Sequence, residues 1–423
     1  MPTQPNEIET TDFLTMEGIR LLVNSTEVLP CFDTSFNDVL DKEFPVGATF
    51  RVPLPNLGTL RTGTMAYNPS PIIDRHTTVT CDQIVGWDVE WDAIEQALSM
   101  PRGEERVKKK LLVPAMKQIK QGWDSLAANF ATYNTSNVVG TLGTAPTAFD
   151  DIYGAADQRL TELGANTPGG KTMILSPGTA RALRKSAVSY FNPGSEISRM
   201  WKTGFIGEVT GFGDTYQSMS LYDITADVWQ TPSAVTMSAT ANQSGSSLVL
   251  ACTTGDTFTA PNVFNIAGVN DVNPMTLRST GTLKQFTFTG PQVVGAASAA
   301  TVTIYPAIVG PGSPYQNVDA LPAALALLTQ YPGTTTPATG PKHGTNGLAF
   351  APEAYGFVGV QLKNPKASSV EIVSQTQDPD TTLALSFVRS WDPPTRKWIN
   401  RFDSLGGFGV FWGDHASIRV LGA

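Results

Sequence analysis

Gly169, Gly170, Lys171 and Thr172 come nearest in this chain to a phosphate-binding motif. A nucleotide-binding loop of that kind needs a glycine, four residues and then Gly-Lys-Thr, so that backbone N–H groups meet phosphate at a helix N-terminus. Here the first position is Ala165, Gly164 stands one residue too early, and the following Met173-Ile174-Leu175 reads as strand. The stretch is therefore expected to be a turn. His76, His343 and His415 have no His or Cys at metal-ligand spacing, which leaves them surface or packing roles. No Gly-x-Ser-x-Gly occurs, and no serine or cysteine is paired with a histidine by spacing. Asp88, Glu90 and Asp92 alternate with Trp87, Val89 and Trp91, so one strand carries an acidic and an apolar face. Such a face can take a cation, lie wet, or pair with charge on a neighbouring subunit; the last two demand less of the rest of the chain. No enzyme, cofactor or metal site is expected.

The element that must organise the rest is Gly103 to Asn134. Val107, Leu111, Ala115, Ile119, Trp123, Leu126, Phe130 and Tyr133 recur at spacings of three and four, the stripe of one amphipathic helix. Arg106, Lys109, Lys110, Lys117 and Lys120 fall on the opposite face. That face is solvated or meets nucleic acid, and Arg106, Lys110, Lys117 and Lys120 are the candidates for a lumen- or DNA-facing stripe. Thirty-odd residues make a rod of roughly 45 Å, a spine rather than a core helix. Pro114 lies within it and is expected to bend it.

The chain has 423 residues, room for two or three domains. Charged residues are only 16% of it, below the usual ~25%, which suggests that much of the monomer surface is covered in a larger assembly. A net charge of −8 argues against sequence-independent nucleic-acid binding by the molecule as a whole. Cys31, Cys81 and Cys252 are far apart and odd in number, so neither a disulfide framework nor a zinc pair is written here, and a reducing compartment suits them. The opening MPTQPNEIETTDF lacks the pattern of a signal peptide, and no later stretch offers ~18 uninterrupted apolar residues, so a soluble chain is expected.

Five segments follow from the pattern. Residues 1–44 read as an arm, and residues 45–92 as a long two-stranded hairpin whose prolines keep it out of a sheet centre. Residues 93–223 hold the spine and an α/β body, with a helix from Phe149 to Leu163 closed by Gly164, a strand from Lys171 to Leu175, and a helix started by Ser176-Pro177. Between Ile224 and Thr345 only seven of 122 residues are charged, and short Thr-, Ser-, Ala- and Val-rich strands recur, so 224–345 is expected to be an inserted all-β barrel or sandwich. Alternating strands in 346–423 return to the body.

In this order the chain resembles a major coat protein of tailed double-stranded-DNA bacteriophages. The nearest subgroup is the short-tailed podophage type that inserts a β-barrel domain into the Hong Kong ninety-seven capsid fold. GIRLLVNSTEVLPCFDTSFNDVLDKEFPVGATFRVPLP is similar to the family's arm and hairpin entry, and VTCDQIVGWDVEWDAIEQALSM with LLVPAMKQI to its hairpin exit and spine, Pro114 included. Gly255 to Thr289, GDTFTAPNVFNIAGVNDVNPMTLRSTGTLKQFTFT, is similar to the core of its inserted domain and is the most specific stretch. The resemblance implies an α+β subunit with peripheral and axial domains. It also implies self-assembly with a scaffolding protein into an icosahedral procapsid that expands as DNA is packaged. Portal protein, packaged double-stranded DNA and a decoration protein are the implied partners, and the virion, assembled in host cytoplasm, is the implied location. Asp88, Glu90 and Asp92 then become a candidate inter-subunit face. The competing expectation is a soluble carbohydrate-binding or adhesin-like β protein, which would need neither spine nor Pro-rich hairpin.

Overall fold

The computed structural model describes residues 7–23, 27–35, 49–54, 58, 75–92, 112–165, 170–187, 211–221, 223–226, 235–290, 293–294, 299–331, 342–362, 371–378, 382–392, 394 and 397–422. In chain order they begin with α1 (Glu7–Val23), a 3-10 turn (Leu29–Cys31), β1 (Thr49–Leu54), β2 (Arg75–Asp92), α2 (Val113–Tyr133) and β3 (Val138–Gly140). Next come α3 (Tyr153–Glu162), β4 (Lys171–Leu175), α4 (Pro177–Ala187), β5 (Phe212–Gln217) and β6 (Asp223–Ala226). A run of short strands follows: β7 (Thr236–Met237), β8 (Gly245–Ala251), β9 (Thr257–Phe258), β10 (Val263–Val272), β11 (Ser279–Thr289), β12 (Val293–Val294), β13 (Ala300–Ile308) and β14 (Leu328–Gln330). The chain ends with β15 (Lys342–Phe350), a 3-10 turn (Pro352–Ala354), β16 (Tyr355–Val360), β17 (Glu371–Gln377), β18 (Ala384–Asp392), β19 (Lys397–Val410), α5 (Gly413–Ala416) and β20 (Ser417–Leu421). The fold is mixed and strand-rich. Its residues fall into two compact units, Met1–Val52 with His76–Ala127 and Tyr355–Val410, and Pro53–Arg75 with Ala128–Ala354 and Phe411–Ala423.

The first unit is built on a sheet in the order β1-β2-β19-β18-β17, with β16 also paired to β19. The fourteen-residue β19 is its centre: Lys397 to Phe408 runs antiparallel to β2, while its other side takes β18 first and then β16. Trp123 of α2 is wholly buried and sets its ring edge-on to Phe357 (5.4 Å, 76°) and Phe408 (6.0 Å, 69°), geometries that aromatic quadrupoles favour. So close a seat requires glycine below it, and a Cβ on Gly406 would stand 2.8 Å from the Phe357 ring and 2.9 Å from that of Trp123. Gly407 sits where the β19–β2 register slips, and a Cβ there would run into the Thr80 carbonyl oxygen. It is the bulge residue that lets two strands touch backbone to backbone.

The second unit holds a mixed sheet, β3-β20-β15-β4-β5, with β6 paired to the start of β15. β3 and β20 are parallel, as are β4 and β5, while β15 is antiparallel to both of its neighbours. α3 ends in a left-handed Gly164 (φ +94°), with the Gly164 N–H on Thr161 O at 3.1 Å and the Ala165 N–H on Leu160 O at 3.0 Å. This is the two-bond stop that absorbs a helix's last carbonyls. Ser176 caps α4 by accepting from the Thr179 N–H (3.3 Å), and Pro177 opens the helix where a missing N–H costs nothing.

The segment between β6 and β15 forms a second sheet, in the order β14-β10-β11-β13-β8-β7. Its end strands also meet: the Met237 N–H donates to Ala326 O (2.8 Å), the Leu328 N–H to Val235 O (3.0 Å), and Thr236 bridges Leu327. The sheet is thus a closed barrel. Val235, Met237, Leu248, Leu250, Phe264 and Phe286 are among the side chains that fill it. β13 alternates strictly from Ala300 to Ile304, with Ala300, Val302 and Ile304 inside and Thr301 and Thr303 outside. The barrel leaves the body through β6 and returns through β15, paired Asp223 to Thr345 and Ala226 to Lys342.

Several expectations are revised. The helix expected from Phe149 to Leu163 begins only at Tyr153. β2 is not one arm of a free hairpin; from Thr80 to Asp92 it is a full member of the sheet beside β19. The N-terminal segment packs on its own chain, with Leu22, Val28, Leu29 and Phe32 buried and Thr15 Oγ1 bonded to Ser374 Oγ of β17 at 2.8 Å. Of the spine, only Leu112 onward lies among the described residues. Its stripe rotates near the C-terminal end: Ala127, Ala128, Ala131 and Thr132 are buried, and Tyr133 is 37% exposed.

Gly407→Ala is expected to lower stability by at least ~2 kcal/mol, because the methyl meets a carbonyl that cannot move without breaking the ladder. Chemical denaturation of the purified chain checks this; an unchanged midpoint would show that the bulge has room.

Candidate functional site

Pro114 is exposed and second in the described helix α2, so among the described residues it stands in a first turn. Residues 93–111 lie outside the described residues, and with them Arg106, Lys110 and the stretch on which the bend depends. Lys117 is exposed. Lys120 is not part of a solvated stripe: its Nζ is 3.0 Å from Glu27 Oε1 and its side chain is 19% exposed.

Asp88 is exposed and lies 3.7 Å from Arg401, whose Nε is held more closely by Asp403 at 2.6 Å. In the β19–β2 register Glu90 stands opposite Ile399 and Asp92 opposite Lys397. In the same register Asp88 stands opposite Arg401, the cross-strand placement that opposite charges favour. An exposed pair of this kind contributes little stability.

Lys171 is buried, and its Nζ donates to Asp157 Oδ1 (2.7 Å) and Thr161 Oγ1 (3.3 Å). It begins strand β4, so it is spoken for structurally and does not open a phosphate-binding helix. Burial, aided by the Asp82 charge, pushes the Cys81 thiol up to about 11, so it is no thiolate nucleophile. Among the described residues no group of three or more His, Cys, Asp or Glu could hold a metal ion.

Two buried carboxylates that spacing does not reveal are the most consequential charges. Asp124 of α2 is wholly buried and accepts the N–H groups of Val28 (3.0 Å) and Leu29 (3.3 Å) on Oδ1 and of Glu27 (3.2 Å) on Oδ2. It serves as the cap that the turn at Leu29–Cys31 lacks, since Val28 has no capping side chain. Burial pushes the Asp124 carboxyl up, and the three donors and Lys120 oppose that shift. The segment it holds continues to Asp33, which bridges the backbone of β16 through the Asp33 N–H on Tyr355 O (2.9 Å) and the Phe357 N–H on Asp33 O (3.0 Å).

Asp271 of β10 is the second. Its Oδ2 is 2.6 Å from Arg159 of α3, and its Oδ1 is 3.0 Å from Lys284 of β11. Asp271 and Lys284 are 0% exposed, and Glu162 lies 3.7 Å from Arg159, so two anions face two cations. Around this cluster the barrel is tied to the body by side chains that copy backbone pairing. Gln285 accepts the Val138 N–H at 2.7 Å and donates to Val138 O at 3.2 Å, which completes the edge of β3. Arg419 of β20 donates to Pro261 O (2.7 Å) and to Thr287 Oγ1 (3.3 Å), and Asn273 donates to Glu162 O (2.7 Å). The sequence does carry one signal for this junction: Asp271 and Lys284 are two of only seven charges in 122 residues. A charge in so apolar a stretch is either solvated at a loop or paired inside.

Removing Asp271 alone leaves two cations without their buried counterion, so Asp271→Ala is expected to cost about 3–5 kcal/mol. The combined change Arg159→Met, Asp271→Leu, Lys284→Met is expected to recover most of it, since a packed apolar cluster needs no desolvation of charge. Thermal unfolding of both variants tests this, and a single variant as mild as the triple one would remove the ionic cluster from consideration. His415 gives a second test. Burial depresses its imidazole below the usual 6.5, and the Asp414 carboxylate 3.3 Å from Nε2 only partly opposes this. The unfolded chain then binds the proton more tightly, so stability is lost as pH falls through the unfolded value, by up to ~1.4 kcal/mol per pH unit. His415→Gln should flatten the dependence of the unfolding midpoint on pH between about 7 and about 5; identical slopes would show that the imidazole titrates normally.

No family model matches the sequence, and no curated protein does. Among solved structures, one described as Mycobacterium phage Che8 is similar over 94% of this chain and 91% of its own, at 11% identity and a TM-score of 0.44. The capsid structure of the cyanophage P-SCSP1u covers 90% of this chain and 85% of its own, at 12% identity and a TM-score of 0.40. The CUS-3 coat protein I-domain is 26% identical over 24% of this chain and 97% of its own, with a TM-score of 0.19.

Proposed function

We propose that this chain is the major coat subunit of an icosahedral shell around double-stranded DNA, with a Hong Kong ninety-seven-type body and an inserted barrel. The observation that carries the proposal is the barrel. Gly255–Thr289, the stretch most similar to the inserted domain of the short-tailed phage coat family, supplies β9, β10 and β11, and the barrel joins the body sheet through the antiparallel pair β6 and β15. The 16% charge content adds to this, because a subunit covered by copies of itself needs few charges for solubility.

On this proposal the parts of 1–44 and 45–92 that do not pack on their own chain make contacts with neighbouring subunits, 93–223 and 346–423 form the peripheral and axial body, and 224–345 is the inserted domain. Asp88, Glu90 and Asp92 offer acidic groups to an adjoining copy. Lys117, with Arg106 and Lys110, lines the lumen. Assembly begins with a scaffolding protein and a portal protein in the host cytoplasm, and expansion accompanies DNA packaging, with a decoration protein as a further partner. Pro114 is then the place where spine curvature differs between immature and mature shells.

Negative-stain electron microscopy and sedimentation velocity on the purified chain, alone and co-expressed with its genomic neighbours, test this. Closed shells or capsomer rings of uniform size are expected. A well-behaved monomer under both conditions overturns the coat assignment and favours a carbohydrate-binding protein, which a glycan screen would then detect. In the same preparations, Pro114→Ala should assemble but expand poorly; normal expansion removes the role given to the bend.

A further inference from the structure

We propose that the exposed face of α4 holds the phosphate backbone of double-stranded DNA. This deepens the coat-protein proposal and rests on it for the identity of the polyanion. α4 buries Thr179, Ala180 and Leu183 and turns Arg181 and Lys185 to solvent, with Arg184 half-buried between them. Arg184 donates to the side-chain oxygen of Gln217 on β5, which fixes one guanidinium at the edge of the face. The helix holds three cations and no acidic residue in eleven positions. Among the described residues none of the three has a carboxylate within ion-pair distance.

The helix dipole accounts for Arg184 and Lys185, which stand in the last turn. It does not account for Arg181, a turn earlier, whose charge is repelled by Lys185 four residues on. Three like charges held on one face, in a chain of net charge −8, are stabilised when an anion lies across them. Arg181 and Lys185 are separated by about 6 Å along the axis, close to the rise of two phosphates on one DNA strand, about 6.8 Å. Guanidinium forks match phosphate oxygens, and contacts to phosphate carry no sequence information, as packaged DNA of any sequence requires. A protein partner would need an apolar or aromatic anchor on this face. Among its described side chains α4 presents none: Ala180 and Leu183 are buried, and Pro177 and Ala182 are half-buried.

The test uses the full chain and a fluorescein-labelled 20-base-pair duplex, titrated at several salt concentrations. In Arg181→Gln/Arg184→Gln/Lys185→Gln the slope of log K against log salt is expected to shrink by about 2–3, roughly 0.9 for each phosphate no longer neutralised. Because Arg184 also holds Gln217, the double variant Arg181→Gln/Lys185→Gln is measured beside it, with about two-thirds of that change expected. An unchanged slope in a variant that remains folded by circular dichroism overturns the inference. So does a wild-type chain that fails to bind the duplex, or one that binds polyglutamate of equal charge more tightly. The same preparations are imaged for shells: shells with an unchanged slope overturn the α4 assignment alone, whereas the absence of shells overturns the coat proposal beneath it.

Discussion

Desolvation of charge is the constraint on which the second unit depends. Asp271 has no exposure at all, and an isolated carboxylate in such a place would cost several kcal/mol or take up a proton. Arg159 and Lys284 approach Asp271 from two sides, one from a helix of the body and one from the adjacent barrel strand. The three groups can meet only if α3, β10 and β11 keep their places, so the cluster specifies a register more than it adds stability. Gln285 and Arg419 extend the same logic to uncharged backbone groups. Each satisfies a polar group that the close approach of barrel and body would otherwise leave without water.

The first unit meets the same constraint by another route. Among the described residues Lys120 is the one cation acting on Asp124, which instead receives three backbone N–H groups at the start of a short turn. Those donors would themselves be orphaned without it. Helix and N-terminal segment thus each supply what the other lacks, and Phe32 is brought against Tyr355 (5.4 Å) and Phe408 (5.9 Å). A segment that composition alone marks as an arm is thereby part of a core.

What was legible in the sequence was mostly local chemistry. Gly164, Ser176 and Pro177 mark helix ends because only certain residues fit those backbone positions, and the alternation in Ala300–Ile308 marks a strand with one buried face. The short Thr-, Ser- and Val-rich runs of 224–345 pointed to strands, and β7 to β14 lie there. What was not legible needed a partner distant in sequence. The pairing of β2 with β19 joins residues some 300 positions apart, and nothing in the Pro-rich flanks of β2 announces it. Lys120 reads as solvent-facing until Glu27 is brought beside it. Asp124 sits next to Trp123 on what is otherwise an alanine-lined face, and its burial becomes intelligible only with the turn that it caps.

Closure of the barrel follows from the same scarcity of charge. An open sheet needs lysines, prolines or bulges on its outer strands to discourage pairing with other chains. With seven charges in 122 residues, three of them (Asp256, Asp271 and Lys284) buried, the segment between β6 and β15 has few such guards. Joining β7 to β14 removes the edges and with them the need. The pair β6 and β15 joins this sparsely charged barrel to a sheet whose own margins, among the described residues, are β3 and β5. Of these, β3 is already occupied by the Gln285 amide. Among the described residues of the six-stranded barrel sheet, neither end strand is left with an open edge, so its low charge does not leave an unguarded strand there.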